Sequence, residues 1–119
     1  MIKVTLDGKT LNVDAYRESL EAVDAQWDEW DEGYKRRVRI LGGIRTWTLE
    51  CWETETTWAN SQLKHFMDKL KAGEAISLVI KEDDETIVDT NVYILNITRR
   101  HVEAPSKRYR RFTIILQEA

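Results

Sequence analysis

Four consecutive acidic side chains at residues 82–85 (EDDE) are the densest group of potential metal ligands in this chain. Clustered carboxylates suit hard cations such as Ca²⁺, but this stretch lacks the alternating ligand spacing and the central glycine of a helix–loop–helix calcium site. We therefore expect residues 82–85 to form the solvated tip of a hairpin rather than a metal site.

The remaining reactive side chains are also too scattered to define a site. His65 and His101 have no cysteine or second histidine at ligand spacing, so a zinc site is not expected. Cys51 falls on the same strand face as Trp47 and Leu49, a position typical of a small core residue rather than a reactive thiol. No nucleophile is paired with a general base. The sequence predicts no enzyme activity, no cofactor and no metal.

Five tryptophans are many for 119 residues, and their rings could serve either the core or an interface. Trp47 and Trp58 lie in apolar patterns and are predicted to pack in the core. Trp27, Trp30 and Trp52 have charged or polar neighbours, which makes them interface candidates.

Two arginine-rich segments, at residues 35–39 and 107–111, could line a binding surface. Strand alternation sends Arg108 and Arg110 to one face and Arg111 to the other, which dilutes any single phosphate-binding patch. We expect a salt-bridged or subunit-contacting surface and no specific nucleic-acid binding. The predicted interface residues are Trp27, Trp30, Trp52, Arg36, Arg37, Arg39, Arg108, Arg110 and Arg111.

Composition indicates one globular domain spanning residues 1–119. Hydrophobic residues make up 42% and charged residues 33%, and the formal net charge of −3 is unlike that of a general nucleic-acid binder. A single cysteine cannot form an internal disulfide, which is typical of a protein kept in a reducing cytoplasm. No apolar run is long enough to span a bilayer, so no membrane partner is expected.

The N-terminal third is predicted to contain a hairpin and then a helix. Residues 2–13 alternate around Asp7-Gly8, a strong hairpin turn. At 14–31, apolar residues recur at steps of three and four behind Asp14 as a helix cap, which favours a helix. Acidic residues at its carboxyl end oppose the helix dipole, so an extended arm is the alternative.

The rest of the chain is predicted to form a second hairpin, a helix and three strands. Residues 34–41 and 44–53 alternate on either side of a turn at Gly42-Gly43. A helix at 58–72 presents Ala59, Leu63, Phe66, Met67 and Leu70 on one face and ends at Gly73. Strands follow at 75–81, 86–98 and 108–118. The predicted class is α+β and β-rich, an antiparallel β-sandwich or rolled sheet with one flanking helix, to which a helix at 14–31 would add a second.

This element order, carried by the segments GGIRTWTLECWE, LKHFMDKLKAGEAISLVI, VDTNVYILNI and RRFTIILQEA, resembles the tail-tube and distal-tail structural proteins of tailed viruses. The resemblance covers about residues 34–118. It implies a β-sandwich or rolled sheet with a flanking helix that assembles into rings, and no catalytic residues. It also implies that exposed strand edges pair between subunits and that acidic loops facing a lumen repel passing DNA.

Together these features predict a non-enzymatic assembly protein, a ring-forming tail or baseplate component. Its expected partners are further copies of itself and other structural proteins, with no small-molecule substrate. It would occupy the host cytoplasm during assembly and then the virion. A small cellular adaptor domain, and less so a nucleic-acid-associated domain, remain alternatives; a large defined oligomer favours assembly, whereas a monomer or dimer favours the adaptor.

Overall fold

The computed structural model describes residues 2–31, 33–55, 57–104 and 107–119, and describes side chains at 2–22, 43–55, 57–100 and 110–119. These residues form six strands, one α-helix and a short 3-10 turn. In chain order they are β1 (Ile2–Leu6), β2 (Lys9–Asp31), β3 (Gly33–Glu53), the 3-10 turn (Trp58–Asn60), α1 (Gln62–Ala72), β4 (Ile76–Glu82), β5 (Glu85–Ala104) and β6 (Lys107–Glu118).

The six strands close into an antiparallel barrel in the order β1-β2-β3-β6-β5-β4. The predicted β-sandwich or rolled sheet is therefore wrong. Closure depends on the short strand β1, in which Val4 lies opposite Leu11 of β2 on one side and opposite Ile80 of β4 on the other. By pairing along both edges, β1 removes the free edges that a sandwich or an open rolled sheet would keep.

The predicted hairpin at Asp7-Gly8 is confirmed. Both residues have positive φ, 52° for Asp7 and 76° for Gly8. Leu6 and Lys9 pair directly across this turn. Two successive positive φ values are the geometry that matches the twist of a two-residue hairpin.

The predicted helix at 14–31 is wrong, because this segment is the outer part of the 23-residue strand β2. Its backbone pairs with β3 from Asn12 opposite Trp52 to Asp31 opposite Gly33. The three-and-four spacing of apolar residues is a local pattern. The backbone hydrogen bonds that β3 forms along the whole segment outweigh this local spacing.

The predicted turn at Gly42-Gly43 is also wrong, because β3 runs without interruption from Gly33 to Glu53. The pairing of β2 with β3 instead extends past this point as far as Asp31 opposite Gly33. Gly43 lies opposite Ala22 and has no positive φ. A Cβ atom at Gly43 would lie 2.8 Å from Cδ1 of Leu20, so close cross-strand approach is what the glycine permits here.

The barrel interior holds one core, which α1 joins by its apolar face. Leu63 and Phe66 of α1 are fully buried, and Met67 and Leu70 pack beside them as predicted, whereas Ala59 is exposed. Among the described side chains, the buried apolar ones are Val4, Leu6, Leu11, Trp47, Leu49, Cys51, Leu63, Phe66, Ile76, Leu78, Ile80, Val88, Val92, Ile94, Phe112, Ile114 and Leu116.

The helix predicted at 58–72 begins later, at Gln62. The hydroxyl of Ser61 accepts a hydrogen bond from the Lys64 N–H, and the 3-10 turn occupies the first predicted residues. At the other end Gly73 adopts φ of 67°, and its N–H bonds the Leu70 carbonyl. A left-handed glycine here stops the helix as the sequence indicated.

Beyond the barrel, β2 and β3 continue as a two-stranded ribbon. β3 pairs with β6 only from Thr46 to Glu53. Among the described residues, 21–31 and 33–44 therefore pair only with each other, and we call this pair the β2–β3 ribbon. The molecule is elongated, with extents of 72 × 30 × 25 Å.

Strand directions define two ends of the barrel. The β2–β3 ribbon and the β4–β5 turn at 82–85 leave from one end, which we call the ribbon end. α1, the Asp7-Gly8 turn and the paired ends of β5 and β6 lie at the other, which we call the helix end.

Candidate assembly surfaces

Cys51 is a core residue, as the sequence predicted. Its side chain is buried on the inner face of β3, beside Trp47 and Leu49 in the same alternation. Burial, and secondarily the nearby charge of Asp14, raise the pKa of the thiol to about 12. The thiolate, which is the reactive form, is therefore disfavoured in the folded protein.

The acidic turn at 82–85 is the hairpin tip that the sequence predicted. Glu82 pairs with Glu85, and between them Asp83 and Asp84 have positive φ of 47° and 67°. Among the residues described here, no three His, Cys, Asp or Glu side chains are grouped so that they could hold a metal ion. At the root of this turn the Tyr16 hydroxyl donates to Glu82 at 2.5 Å, a contact that raises the Tyr16 pKa to about 12.

His65 has a structural contact. Its Nε2 lies 2.7 Å from Oδ2 of Asp7, which ties α1 to the β1–β2 turn at the helix end. The side chain of His101 lies outside the described ones.

The described tryptophans divide differently from the prediction. Trp47 is fully buried, as expected, and its Nε1 donates to Oε1 of Glu18 at 3.0 Å. Trp58 is 38% exposed, so its predicted place in the core is wrong. It lies in the 3-10 turn before α1, outside the alternation that buries β3 residues. Trp52 is partly buried and lies opposite Arg111 of β6.

Two of the predicted interface arginines make ion pairs within the chain. Arg110 lies 3.5 Å from the buried carboxylate of Glu53, and it donates to the Glu55 carbonyl oxygen at 2.5 Å. Arg111 lies on the outer face and pairs with Asp14 at 3.0 Å. The expected division of Arg110 and Arg111 between two faces of β6 is thus observed.

Five other predicted interface residues, all with side chains outside the described ones, lie on the β2–β3 ribbon. The register places Trp27 opposite Arg37 and Trp30 opposite Tyr34. It also places Asp28 opposite Arg36, and Glu29 opposite Lys35. The acidic and basic segments are thus cross-strand neighbours within one chain. The remaining residue, Arg108, lies on β6 opposite Glu103.

The helix end carries a cluster that the sequence did not predict. The guanidinium carbons of Arg99 and Arg110 lie 5.1 Å and 5.3 Å from the centre of the Trp58 ring. Both distances are within the range of cation–π attraction. We call Trp58, Arg99 and Arg110 the Arg–Trp patch.

The patch rests on Glu53, which is 97% buried at the end of β3. Its carboxylate accepts a hydrogen bond from the Gln62 N–H at 2.9 Å and another from the Ser61 hydroxyl. A sequence signal did exist for this residue, since Glu53 continues the inward alternation of Trp47, Leu49 and Cys51. No such signal marks Trp58, because its partners come from β5 and β6.

Among the described residues, the outer face of the barrel also has a concave region that could bear on binding. It is an open groove of about 260 Å³ between β2, β3, β5 and β6. Its charged lining consists of Asp14, Glu50, Arg100 and Arg111. Charges of both signs are balanced in it, and this favours neither an anionic nor a cationic small molecule.

Structural comparison shows a fold shared with chains of gene transfer agent particles and of a contractile injection system. One similar chain is from the virion of a native gene transfer agent particle, at 18% identity and a TM-score of 0.57, covering 99% of this chain and 90% of that one. A second is from the tail of an empty gene transfer agent particle with C6 symmetry, at 19% identity and a TM-score of 0.51, covering 99% and 89%.

A third similar chain belongs to the sheath-tube complex of an extracellular contractile injection system in the extended state. It is 9% identical with a TM-score of 0.54, and the match covers 97% of this chain and 83% of that one. No protein-family model and no curated protein matches the sequence. The resemblance to tail structural proteins is thus confirmed at the level of fold. Within the described part of the chain, no helix has the length and apolar character needed to cross a membrane.

Proposed function

We propose that this protein is a non-enzymatic structural component of the tail of a tailed virus or related particle. It assembles with further copies of itself into a ring and with other structural proteins of the tail. It is made in the host cytoplasm and ends in the virion. The fold shared with chains of a gene transfer agent tail and of a sheath-tube complex supports this proposal.

The observation that carries the proposal is the β2–β3 ribbon. Within the closed barrel each strand edge pairs with a neighbouring strand. Edges that could pair with another chain therefore remain where strands extend beyond the barrel. Residues 21–31 and 33–44 pair only with each other among the described residues, and each strand keeps one outer edge. An isolated two-stranded ribbon is at best marginally stable in water.

Pairing between copies would occupy the free outer edges of the ribbon and would stabilise it by adding further strands. The outer edge of β2 in one copy can bond the outer edge of β3 in the next, which extends the ribbon into a larger sheet. The two edges belong to different strands, so the contact is head-to-tail, and a head-to-tail contact closes into a ring when its rotation allows. Five of the predicted interface residues, Trp27, Trp30, Arg36, Arg37 and Arg39, lie on this ribbon.

Native mass spectrometry and electron microscopy of the purified protein at micromolar concentration test this function. We expect discrete ring-sized oligomers. A variant that replaces residues 22–43 with Asn-Gly joins the paired residues Glu21 and Ile44 through a hairpin turn and leaves every buried residue named above in place. It should remain folded by circular dichroism and be monomeric.

The control is the double substitution Asp68→Lys/Asp89→Lys, which alters two exposed carboxylates away from the ribbon and should leave the rings intact. A wild-type protein that stays monomeric or dimeric at every concentration would contradict the assembly function and favour a small adaptor domain. Rings that persist after the ribbon is removed would contradict the ribbon as the subunit contact.

A further inference from the structure

The Arg–Trp patch has the composition of an interface anchor. Trp58 exposes 38% of its surface although two guanidinium groups lie over its ring. Tryptophan and arginine are the residues most enriched where protein interfaces concentrate their binding energy. The patch therefore presents a fixed aromatic surface with positive charge beside it at the helix end.

The cations at the helix end are not all neutralised within the chain. Arg110 lies near Glu53, and Arg111 pairs with Asp14. Arg99, by contrast, is exposed and has no carboxylate partner among the residues whose side chains are described. Arg100, the next residue of β5, points to the other face of the sheet and lines the groove that contains Asp14 and Glu50. The Arg99 guanidinium can therefore bind carboxylates from outside the chain, and carboxylate–guanidinium bonds are strong and directional.

The ribbon end presents the opposite charge. In the acidic turn at 82–85, the left-handed backbone of Asp83 and Asp84 makes the tightest part of the hairpin, and all four side chains are exposed. The bond from the Tyr16 hydroxyl to Glu82 anchors the root of the turn on β2. Glu82 accepts from Tyr16 and the Asp83 carboxylate is itself hydrogen-bonded, so the turn offers the carboxylates of Asp84 and Glu85 on a supported tip.

These two surfaces cannot meet within one molecule. Glu85 begins β5, and Arg99 lies fourteen positions further along the same continuous strand. At about 3.3 Å per residue, roughly 45 Å separates them along the strand. Two complementary charged surfaces at opposite ends of one chain can be joined only by a second copy in the same orientation.

We propose that the acidic turn of one copy docks on the Arg–Trp patch of the next, so that copies stack end to end through opposite charge. This inference rests on the proposed tail function and adds the contact that joins one ring to the next. The contact is separate from the β2–β3 ribbon, which forms the contact within a ring. Because its surfaces are unlike, the stack has a direction and can extend without limit.

Charge reversal tests the stacking. Variant one is Asp84→Lys/Glu85→Lys, and variant two is Arg99→Glu. Variant one sets lysines against the Arg–Trp patch and variant two sets a carboxylate against the acidic turn, so each alone should form rings that do not stack under the microscope. Preformed rings of the two variants, mixed in equal amounts, should stack again, because the lysine turn of one then faces the glutamate patch of the other.

A chain that carries all three substitutions should also stack by itself, and this restoration excludes misfolding as the cause of the loss. The control Asp68→Lys/Asp89→Lys changes the net charge as much as variant one and should stack like the wild type. Raising the salt concentration should shorten wild-type stacks.

The outcomes separate the two proposals. Wild-type protein that never forms rings overturns the assembly function and the stacking together. Rings that stack equally well in all variants, or variants that fail to restore stacking when mixed, overturn the stacking contact alone. Salt-sensitive binding of duplex DNA by the wild-type protein that variant two abolishes, with stacking unchanged, would assign the patch to nucleic acid instead.

Discussion

Glu53, the last residue of β3, accepts a 2.9 Å hydrogen bond from the backbone N–H of Gln62, the first residue of α1. The same buried carboxylate accepts from the Ser61 hydroxyl and lies 3.5 Å from Arg110. One side chain thus joins a barrel strand to the start of the helix, where unpaired N–H groups favour negative charge. It also holds Arg110, one member of the Arg–Trp patch.

Removing this carboxylate should destabilise the protein. Glu53→Ala leaves buried donors and a partly buried guanidinium without their acceptor, which should lower the free energy of unfolding by about 3 kcal/mol in urea titrations. Glu55→Ala is the matched control. Glu55 is an exposed acceptor for the Thr57 N–H, and its loss should cost less than about 0.5 kcal/mol. Equal losses for both variants would show that Glu53 has no special role.

Phe66 should account for much of the packing of α1 on the barrel. Its side chain is fully buried, and Phe66→Ala should lower the free energy of unfolding by about 3–5 kcal/mol, because the helix cannot collapse to fill the cavity. Lys71→Ala, on the exposed face of the same helix, should change the free energy of unfolding by less than about 0.5 kcal/mol. A comparably small loss at Phe66 would contradict its place in the core.

Two glycines should respond differently to alanine, because they serve different purposes. Gly73 has a φ of 67° and open space around its Cβ position, so Gly73→Ala should cost about 1 kcal/mol through backbone strain alone. Gly43 lies in a strand, and the one atom that an added Cβ would crowd, at 2.8 Å, is at the end of the exposed Leu20 side chain, which can move. Gly43→Ala should therefore cost less than Gly73→Ala in urea unfolding. The reverse order would indicate a turn at Gly43.

Cys51 should resist alkylation in the folded protein at neutral pH and react only after unfolding, as mass spectrometry after iodoacetamide treatment would show. The folded thiol pKa of about 12 exceeds its ordinary value of 9.0, so the folded state holds this proton more tightly than the unfolded state. The resulting stability is complete below about pH 9 and is lost as pH rises toward 12.

The Cys51 thiol can lower the free energy of unfolding by at most about 1.4 kcal/mol for each unit that the pH rises. Urea unfolding of Cys51→Ala across the same range should show a shallower loss than the wild type. Tyr16→Phe provides a comparison, because the raised pKa of Tyr16 acts in the same direction between its ordinary 10.0 and about 12. An unchanged alkaline slope in Cys51→Ala would contradict the burial of this thiol.

The sequence by itself determined the features that depend on neighbouring residues. The Asp7-Gly8 turn, the glycine stop at Gly73 and the inward alternation of Trp47, Leu49 and Cys51 are each set by local backbone preferences or by the two-residue period of a strand. They appear in the structure as predicted. The resemblance to tail proteins rested on an element order of which the helix and the three strands after it are observed, whereas the hairpin at Gly42-Gly43 is a single strand.

Only the tertiary structure decided which segments pair over long distances. The apolar spacing at 14–31 suits a helix, yet the whole segment is strand, because β3 runs beside it and bonds its backbone. Gly42-Gly43 suits a turn, yet β3 continues through it. Trp58 suits a core, yet it is exposed beside Arg99 and Arg110, which the barrel brings from β5 and β6. Barrel closure likewise depends on β1 meeting β4, more than seventy positions away, a contact that no local preference encodes.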